Sequence, residues 1–311
     1  MRAWISSICV LLFSLSCSSP PSHRTRLLLD WWPNPVHVPL FVGKERGFFQ
    51  KRGIDLEIMK HVDPAHSISY LGSESADLAI YDLPHTLRAQ ERWGGLQVVG
   101  TLIDCPLRSF LFRKDNDIHS PQDFSGKVFG NNPVGLLYRC VQRVLQEQNV
   151  QFGVVKKLNM HPLAALLSKH VDVISVFWNV EAEQMRVRGV EPAFFKITDF
   201  GIPSYDEVIV IARKDFLDED PTFTTRFRES LAESIAWMRA HPSEAFDIYL
   251  QLHPDKGAKT RLWEARSYAL TLPLFSERQT PDLEKWRAFC RWMQAHGLLS
   301  PDVDVAELAR Q

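Results

Sequence analysis

From Leu27 onward, short apolar or alternating runs take turns with segments whose apolar residues recur at helical spacing. That alternation predicts a mainly parallel sheet with helices packed on it. Strands are expected at Leu27–Leu29, Ile54–Met59, Ala76–Tyr81, Gln97–Leu102, Ser109–Arg113, Lys127–Gly130, Val154–Leu158 and Val171–Phe177, and helices at Pro39–Phe49, Ala65–Leu71, Leu83–Arg92, Leu136–Gln148, Pro162–Lys169 and Glu181–Val187. Ser120–Asp123 opens a helical turn. After Pro221 the pattern turns helical, over Thr222–Ala240, Pro242–Leu252, Thr260–Ala269 and Pro281–Ala295, with Gly297 as a stop. Ser109–Arg113 reads as the strand that leaves a first domain, and Glu207–Ala212 as the strand that returns to it. The expected division is therefore residues 27–113 plus 206–311 as one α/β domain and 114–205 as a second.

The first residues carry a different pattern. Arg2 is followed by an apolar stretch, Ala3 to Leu15, too short to span a bilayer as a helix. Ser14-Leu15-Ser16-Cys17 resembles a bacterial lipobox, although Ser14 stands where leucine is usual. Residues 1–16 are expected to be a signal peptide and 17–26 a tether anchored through a lipid on Cys17. Plain secretion with an incidental Cys17 is the alternative. Cys105, Cys140 and Cys290 remain, an odd number at no metal-like spacing, and are expected to be free thiols, with a disulfide between two of them in an exported chain as the alternative.

Composition narrows the class. The chain has 311 residues, 45% of them hydrophobic, enough for two cores. A formal net charge of −1 gives no reason to expect a nucleic-acid partner. Nine Trp and nineteen Phe suit a flat ring ligand, and equally suit ordinary cores.

The candidate chemistry starts at Asp30-Trp31-Trp32-Pro33-Asn34-Pro35-Val36-His37. The two prolines end the strand and stiffen the loop. An aromatic and polar loop thus lies at the carboxyl end of a strand and before a helix, where ligands bind in open α/β sheets. Its bland reading is a Trp-rich core corner. Adjacent residues of an extended chain point to opposite sides, so one of Trp31 and Trp32 is expected to pack inside.

The run from Leu29 to Ile58, with Gly47-Phe48-Phe49, Gly53 and Asp55-Leu56-Glu57-Ile58 beside that loop, resembles the opening of the thiamine-pyrimidine precursor family. The likeness spans about Leu27 to Phe216. It implies the type II periplasmic-binding-protein fold, which the two halves, two crossings and helical tail also match. The family has two branches, one of ABC-importer binding proteins and one of fungal-type hydroxymethylpyrimidine phosphate synthases.

Three further stretches bear on the branch. Tyr81-Asp82-Leu83-Pro84-His85 lies where the synthases have a lysine that holds pyridoxal phosphate and a sacrificial histidine. His85 matches the histidine, but Tyr81 has no amine to form an imine. Asn179-Val180-Glu181 resembles the family's Asn-x-Glu element, whose carboxylate could pair with the amidine edge of an aminopyrimidine. Glu181 could equally be a first-turn acid favoured by the helix dipole. Gly201-Ile202-Pro203-Ser204-Tyr205-Asp206-Glu207 resembles the hinge element of the transport branch, and the synthases' cysteine run is absent there.

Other chemistries find no support. His61 and His66 are off zinc spacing, the glycines near Lys127 do not make a phosphate loop, and no serine-hydrolase elbow is present. Asn131-Asn132-Pro133 reads as a plain turn. The resulting expectation is a lipoprotein binding subunit of an ABC importer, not an enzyme, with no cofactor and no metal. Its partners would be a small aminopyrimidine, a permease and an ATPase. Trp31, Trp32, Asn34, His37, Tyr81, His85, Asn179, Glu181 and Tyr205 are the candidate ligand-binding residues. A divergent synthase, or a binding protein for riboflavin, a sulfonate or another solute, is the alternative.

Overall fold

The computed structural model describes residues 24–60, 67–131, 136–158 and 161–309. The expected signal peptide, Cys17, His61, His66, Asn132 and Pro133 lie outside the described residues. Among the described residues there are ten strands. In the first sheet the order is β2 (Asp55–Met59), β1 (Arg24–Leu28), β3 (Leu78–Tyr81), β10 (Val208–Arg213), β4 (Leu96–Ile103). The second runs β7 (Val154–Lys157), β6 (Val128–Asn131), β8 (Val173–Phe177), β5 (Arg108–Arg113), β9 (Pro192–Lys196). Each sheet is parallel but for one strand. β10 runs antiparallel to β3 and β4, and β5 antiparallel to β8 and β9.

Two differences from the sequence reading follow from side-chain direction and strand order. The stretch expected to be the end of the tether is already sheet, because β1 begins at Arg24. Thr25 turns inward while Arg24 and Arg26 face Asp55 and Glu57 across the parallel pair. The strand expected to leave the first domain belongs to the second sheet. β5 pairs with β8 and β9, so the outgoing crossing is residues 104–107 and the expected boundary at Arg113 lies one strand too late. The return crossing, residues 197–207, follows β9.

The helices are α1 (Val38–Glu45), α2 (Ser67–Gly72), α3 (Leu83–Trp93), α4 (Leu136–Glu147), α5 (Pro162–Leu167), α6 (Glu181–Arg186), α7 (Lys214–Glu219), α8 (Phe223–Ala240), α9 (Pro242–Gln251), α10 (Ala258–Thr271), α11 (Leu283–Ala295) and α12 (Val305–Leu308). β4 is buried along its whole length and β10 along all but its last residue, as continuous apolar runs in a covered sheet require. α1 packs on α8 through Gly43, where a Cβ would come within 2.6 Å of the Phe49 ring.

The C-terminal helices do more than cover the first sheet. α11 is fastened to the hinge by Asp206, which accepts Trp286 Nε1 at 2.9 Å and pairs with Lys285. α10 touches the short 3-10 turn Pro35–His37 of the first domain and α6 of the second, so it spans both sides of the cleft. Cys105, Cys140 and Cys290 are free thiols. Among the described residues no helix is long and apolar enough to cross a membrane.

Candidate functional site

The tryptophan loop is built by the residues around it. Asn34 adopts an extended conformation (φ −145°) and caps the 3-10 turn. Its Oδ1 accepts the Val36 N–H at 3.0 Å and its Nδ2 donates to the Trp32 carbonyl at 3.0 Å. His37 is fully buried. Its Nδ1 accepts the Asn34 N–H at 3.3 Å, which leaves Nε2 as the donor to Asp30 Oδ1 at 2.8 Å. The polar atoms of Asn34 and His37 are thus engaged in holding the loop. Trp31 is half-buried and Trp32 is 54% exposed, so neither indole sits in the core. The expected in-and-out alternation fails because residues 30–33 bend and are not extended.

At the end of β3, Asp82 caps α3 by accepting the His85 N–H at 2.8 Å, and both its oxygens lie within 2.8 Å of His85 Nδ1. Burial works against ionisation of Asp82, but the charges of His85 and Arg108 outweigh it and hold the carboxyl below its usual range. Tyr81 meets the His85 ring edge-on at 5.8 Å, and burial, with Asp82 adding to it, raises its phenol.

The two crossings meet at Glu207. Its Oε2 accepts the N–H groups of Leu107 at 2.9 Å and Arg108 at 3.0 Å, and the hydroxyl of Tyr205 at 3.0 Å. Tyr205 is completely buried against Phe289, 4.9 Å between rings. It belongs to the hinge and has no face on the cleft. Burial raises the Glu207 carboxyl, opposed by Arg108. The Arg108 guanidinium lies 4.8 Å over the Phe177 ring and acts on Glu207, Asp82 and Glu181 together. A half-buried cation therefore links the end of β3, the hinge and the start of α6.

Glu181 opens α6. Its Oε2 accepts the Phe177 N–H at 3.1 Å, and burial, opposed chiefly by Arg108, pushes its carboxyl up to about 7. Asn179 is fully buried and donates through Nδ2 to Thr271 Oγ1 of α10 at 2.7 Å, while its Oδ1 has no hydrogen-bond partner among the described residues.

A pocket of about 420 Å³ lies between these parts. The first domain contributes Trp31, Trp32, Pro33 and Asn34, and the second contributes α5 from His161 to Leu167 and the Val180, Glu181, Gln184 and Arg188 face of α6. The third wall is Lys256, Thr260, Trp263 and Glu264. Of the sequence candidates, Trp31, Trp32, Asn34 and Glu181 come together on this pocket. His37, Tyr81, His85, Asn179 and Tyr205 do not line it.

The third wall had no signal in the sequence. Lys256 donates to the Pro33 carbonyl at 3.1 Å, to Tyr249 Oη and to Glu264 Oε1, which also accepts the Tyr249 hydroxyl at 3.1 Å. Lys256 thereby ties the tryptophan loop to α9 and α10. Burial lowers the Lys256 ammonium and raises the Glu264 carboxyl. A lysine in a turn and a glutamate in a helix look like solvated charges until the helices are packed. Among the described residues no group of three or more His, Cys, Asp or Glu is arranged to hold a metal ion.

A profile of the family described as NMT1/THI5 like matches residues 34–245. The formylaminopyrimidine-binding protein of Halalkalibacterium halodurans is 24% identical, across 97% of this chain and 96% of the relative. The 4-amino-5-hydroxymethyl-2-methylpyrimidine phosphate synthase of Legionella pneumophila is 22% identical, across 91% of this chain and 90% of its own. Among solved structures, the periplasmic aliphatic sulphonate binding protein of Escherichia coli has a TM-score of 0.69 at 14% identity, covering 94% of this chain and 93% of that one. The fold is that of the periplasmic binding proteins, as the strand pattern and the family resemblance both implied.

Proposed function

The chain belongs to the NMT1/THI5 like family, and from that premise we propose that it is the substrate-binding subunit of an ABC importer, holding an aminopyrimidine precursor of thiamine between its two domains. The observation that carries the reading is the Glu181 carboxyl on a pocket whose opposite wall is Trp31 and Trp32. An aminopyrimidine edge offers an N–H donor beside a ring nitrogen. A carboxyl that titrates about neutral pairs with that edge through two parallel hydrogen bonds, one oxygen accepting the amino N–H and the other sharing a single proton with the ring nitrogen, and the indoles supply stacking faces. Closure over the ligand would be a rotation at the two crossings, where Glu207 binds them together.

Synthase chemistry does not fit these residues. Tyr81 cannot form the imine that a lysine would, and the chain has no cysteine between Cys140 and Cys290 to hold iron. The permease and ATPase follow from the importer reading, and so does export, with Cys17 as the lipid-bearing residue. Calorimetric titration with hydroxymethyl- and formylamino-pyrimidines tests the cargo, alongside mass spectrometry of ligand retained on purification. Binding of neither compound, with another solute retained, would overturn it. Release of Cys17→Ser from the membrane fraction of a bacterial host is the expected result for the anchor. Unchanged partitioning removes that part of the reading.

A further inference from the structure

The matched family segment ends at residue 245, before α10 begins, yet α10 forms a wall of the pocket. Its inward face carries Glu264, Ser267 and Thr271, at helical spacing and all buried. Thr271 is satisfied by Asn179, but Glu264 Oε2, Ser267 Oγ and Asn179 Oδ1 have no hydrogen-bond partner among the described residues. Buried polar atoms are almost always paired, because leaving one unmade forfeits its hydration without return. Glu264 is 1% exposed, and Lys256 and Tyr249 take up its Oε1 only.

We propose that α10 supplies a second polar anchor to the ligand, with Glu264 Oε2 as the group that receives it. This rests on the aminopyrimidine reading, in which Glu181 holds the amidine edge. Glu264 then takes an N–H or O–H donor on the substituent at the other end of the ring. The free oxygen of Glu264 is an acceptor, the cation hydrogen-bonded to this residue, Lys256, already donates to three oxygens, and Arg188 lies on the α6 wall beside Glu181 and not on α10. The site therefore selects a substituent that donates, such as a hydroxymethyl or formylamino group, and rejects a phosphate ester, whose oxygens would face carboxylate lone pairs.

The test is calorimetric titration with three probes: 4-amino-5-hydroxymethyl-2-methylpyrimidine, the 5-methyl analogue that lacks the donor, and the phosphate ester. Wild type is expected to bind the alcohol about tenfold or more tightly than the methyl analogue, as for a hydrogen bond to a charged group, and to bind the phosphate more weakly still. In Glu264→Met, which removes the free acceptor at similar side-chain length, the alcohol-to-methyl ratio should collapse toward one. A merely structural glutamate would weaken both probes equally and leave the ratio intact, which overturns the proposal. Equal binding of alcohol and phosphate by wild type overturns it as well. If no probe binds wild type, the aminopyrimidine reading falls and takes this one with it. Should Glu264→Met fold poorly, Lys256→Met with Glu264→Met removes the pair without stranding a charge and serves the same comparison.

Discussion

Glu207 holds Arg108 twice: its Oε2 accepts the backbone N–H at 3.0 Å, and its Oε1 lies 3.5 Å from Nη2 of the guanidinium. Glu207 ends the return crossing and Arg108 opens β5 directly after the outgoing one, so the pair joins the outgoing chain to the returning one. Glu207→Ala would strip the acceptor from two backbone N–H groups and the Tyr205 hydroxyl, and leave the half-buried guanidinium with Asp82 and Glu181 as counter-charges. Stranding buried donors in this way costs about 1–3 kcal/mol each, to be read as a lower urea midpoint. Glu207→Gln keeps an acceptor and should recover part of the loss. An unchanged midpoint for the alanine variant would rule out the hinge role.

The Glu181 carboxyl sets a pH dependence of stability. Its pKa rises from 4.5 to about 7 on folding. Between those values the folded protein keeps a proton that the unfolded chain has released, so stability falls as pH rises through that window and stays reduced above it. Glu181→Gln has no such term. It should melt above wild type at about pH 8 and level with it at about pH 4. A variant that melts lower than wild type at the higher pH would mark Glu181 as a structural acid.

Binding should respond in the opposite sense. Loss of one partner of a desolvated, charge-assisted pair costs about 2–5 kcal/mol, so Glu181→Ala should weaken aminopyrimidine binding by roughly 30-fold or more. In wild type the shared proton must be taken from solvent once Glu181 is ionised. The dissociation constant should then rise about tenfold per pH unit on the alkaline side. A flat profile by calorimetry would dissociate Glu181 from the ligand.

Lys256→Met leaves Glu264 buried with Tyr249 as its remaining hydrogen-bond partner, and should cost about 3–5 kcal/mol. Adding Glu264→Met should restore most of that. A double-mutant cycle on denaturant midpoints measures the coupling, and additive losses would mean that the two charges do not interact.

Mixed with pyridoxal phosphate, the protein should develop no imine absorbance at position 81, and His85 should keep its mass in peptide analysis. Conversion of His85 under aerobic conditions with iron would replace the transport reading with the synthase one.

The architecture was legible wherever burial on both faces made a strand mostly apolar, as in β4 and β10, and wherever Gly or Pro marked the ends. β9 escaped notice because Pro192-Ala193-Phe194-Phe195-Lys196 is short, opens on proline and lies at the edge of its sheet, where no two-faced burial shapes the sequence. At the site, Trp31, Trp32 and Glu181 were readable because strand ends point at the cleft. Asn34 and His37 drew attention for the same reason, yet their hydrogen bonds run to the loop itself. Lys256 and Glu264 were not readable at all. A buried ion pair between a turn and a helix becomes visible only once both are packed against the loop.

The antiparallel strand in each sheet also dictates an order of assembly. Tyr81 and Ile80 pair with Ile209 and Val210 of β10, so the first sheet is split until the chain has passed through the whole second domain. The second sheet, from β5 to β9, is contiguous and can close on its own residues. Pairings so distant in sequence are slow to find, and the pocket wall on α10 comes later still. A chain stopped short of α10 would retain every strand of both sheets and still lack one side of its pocket.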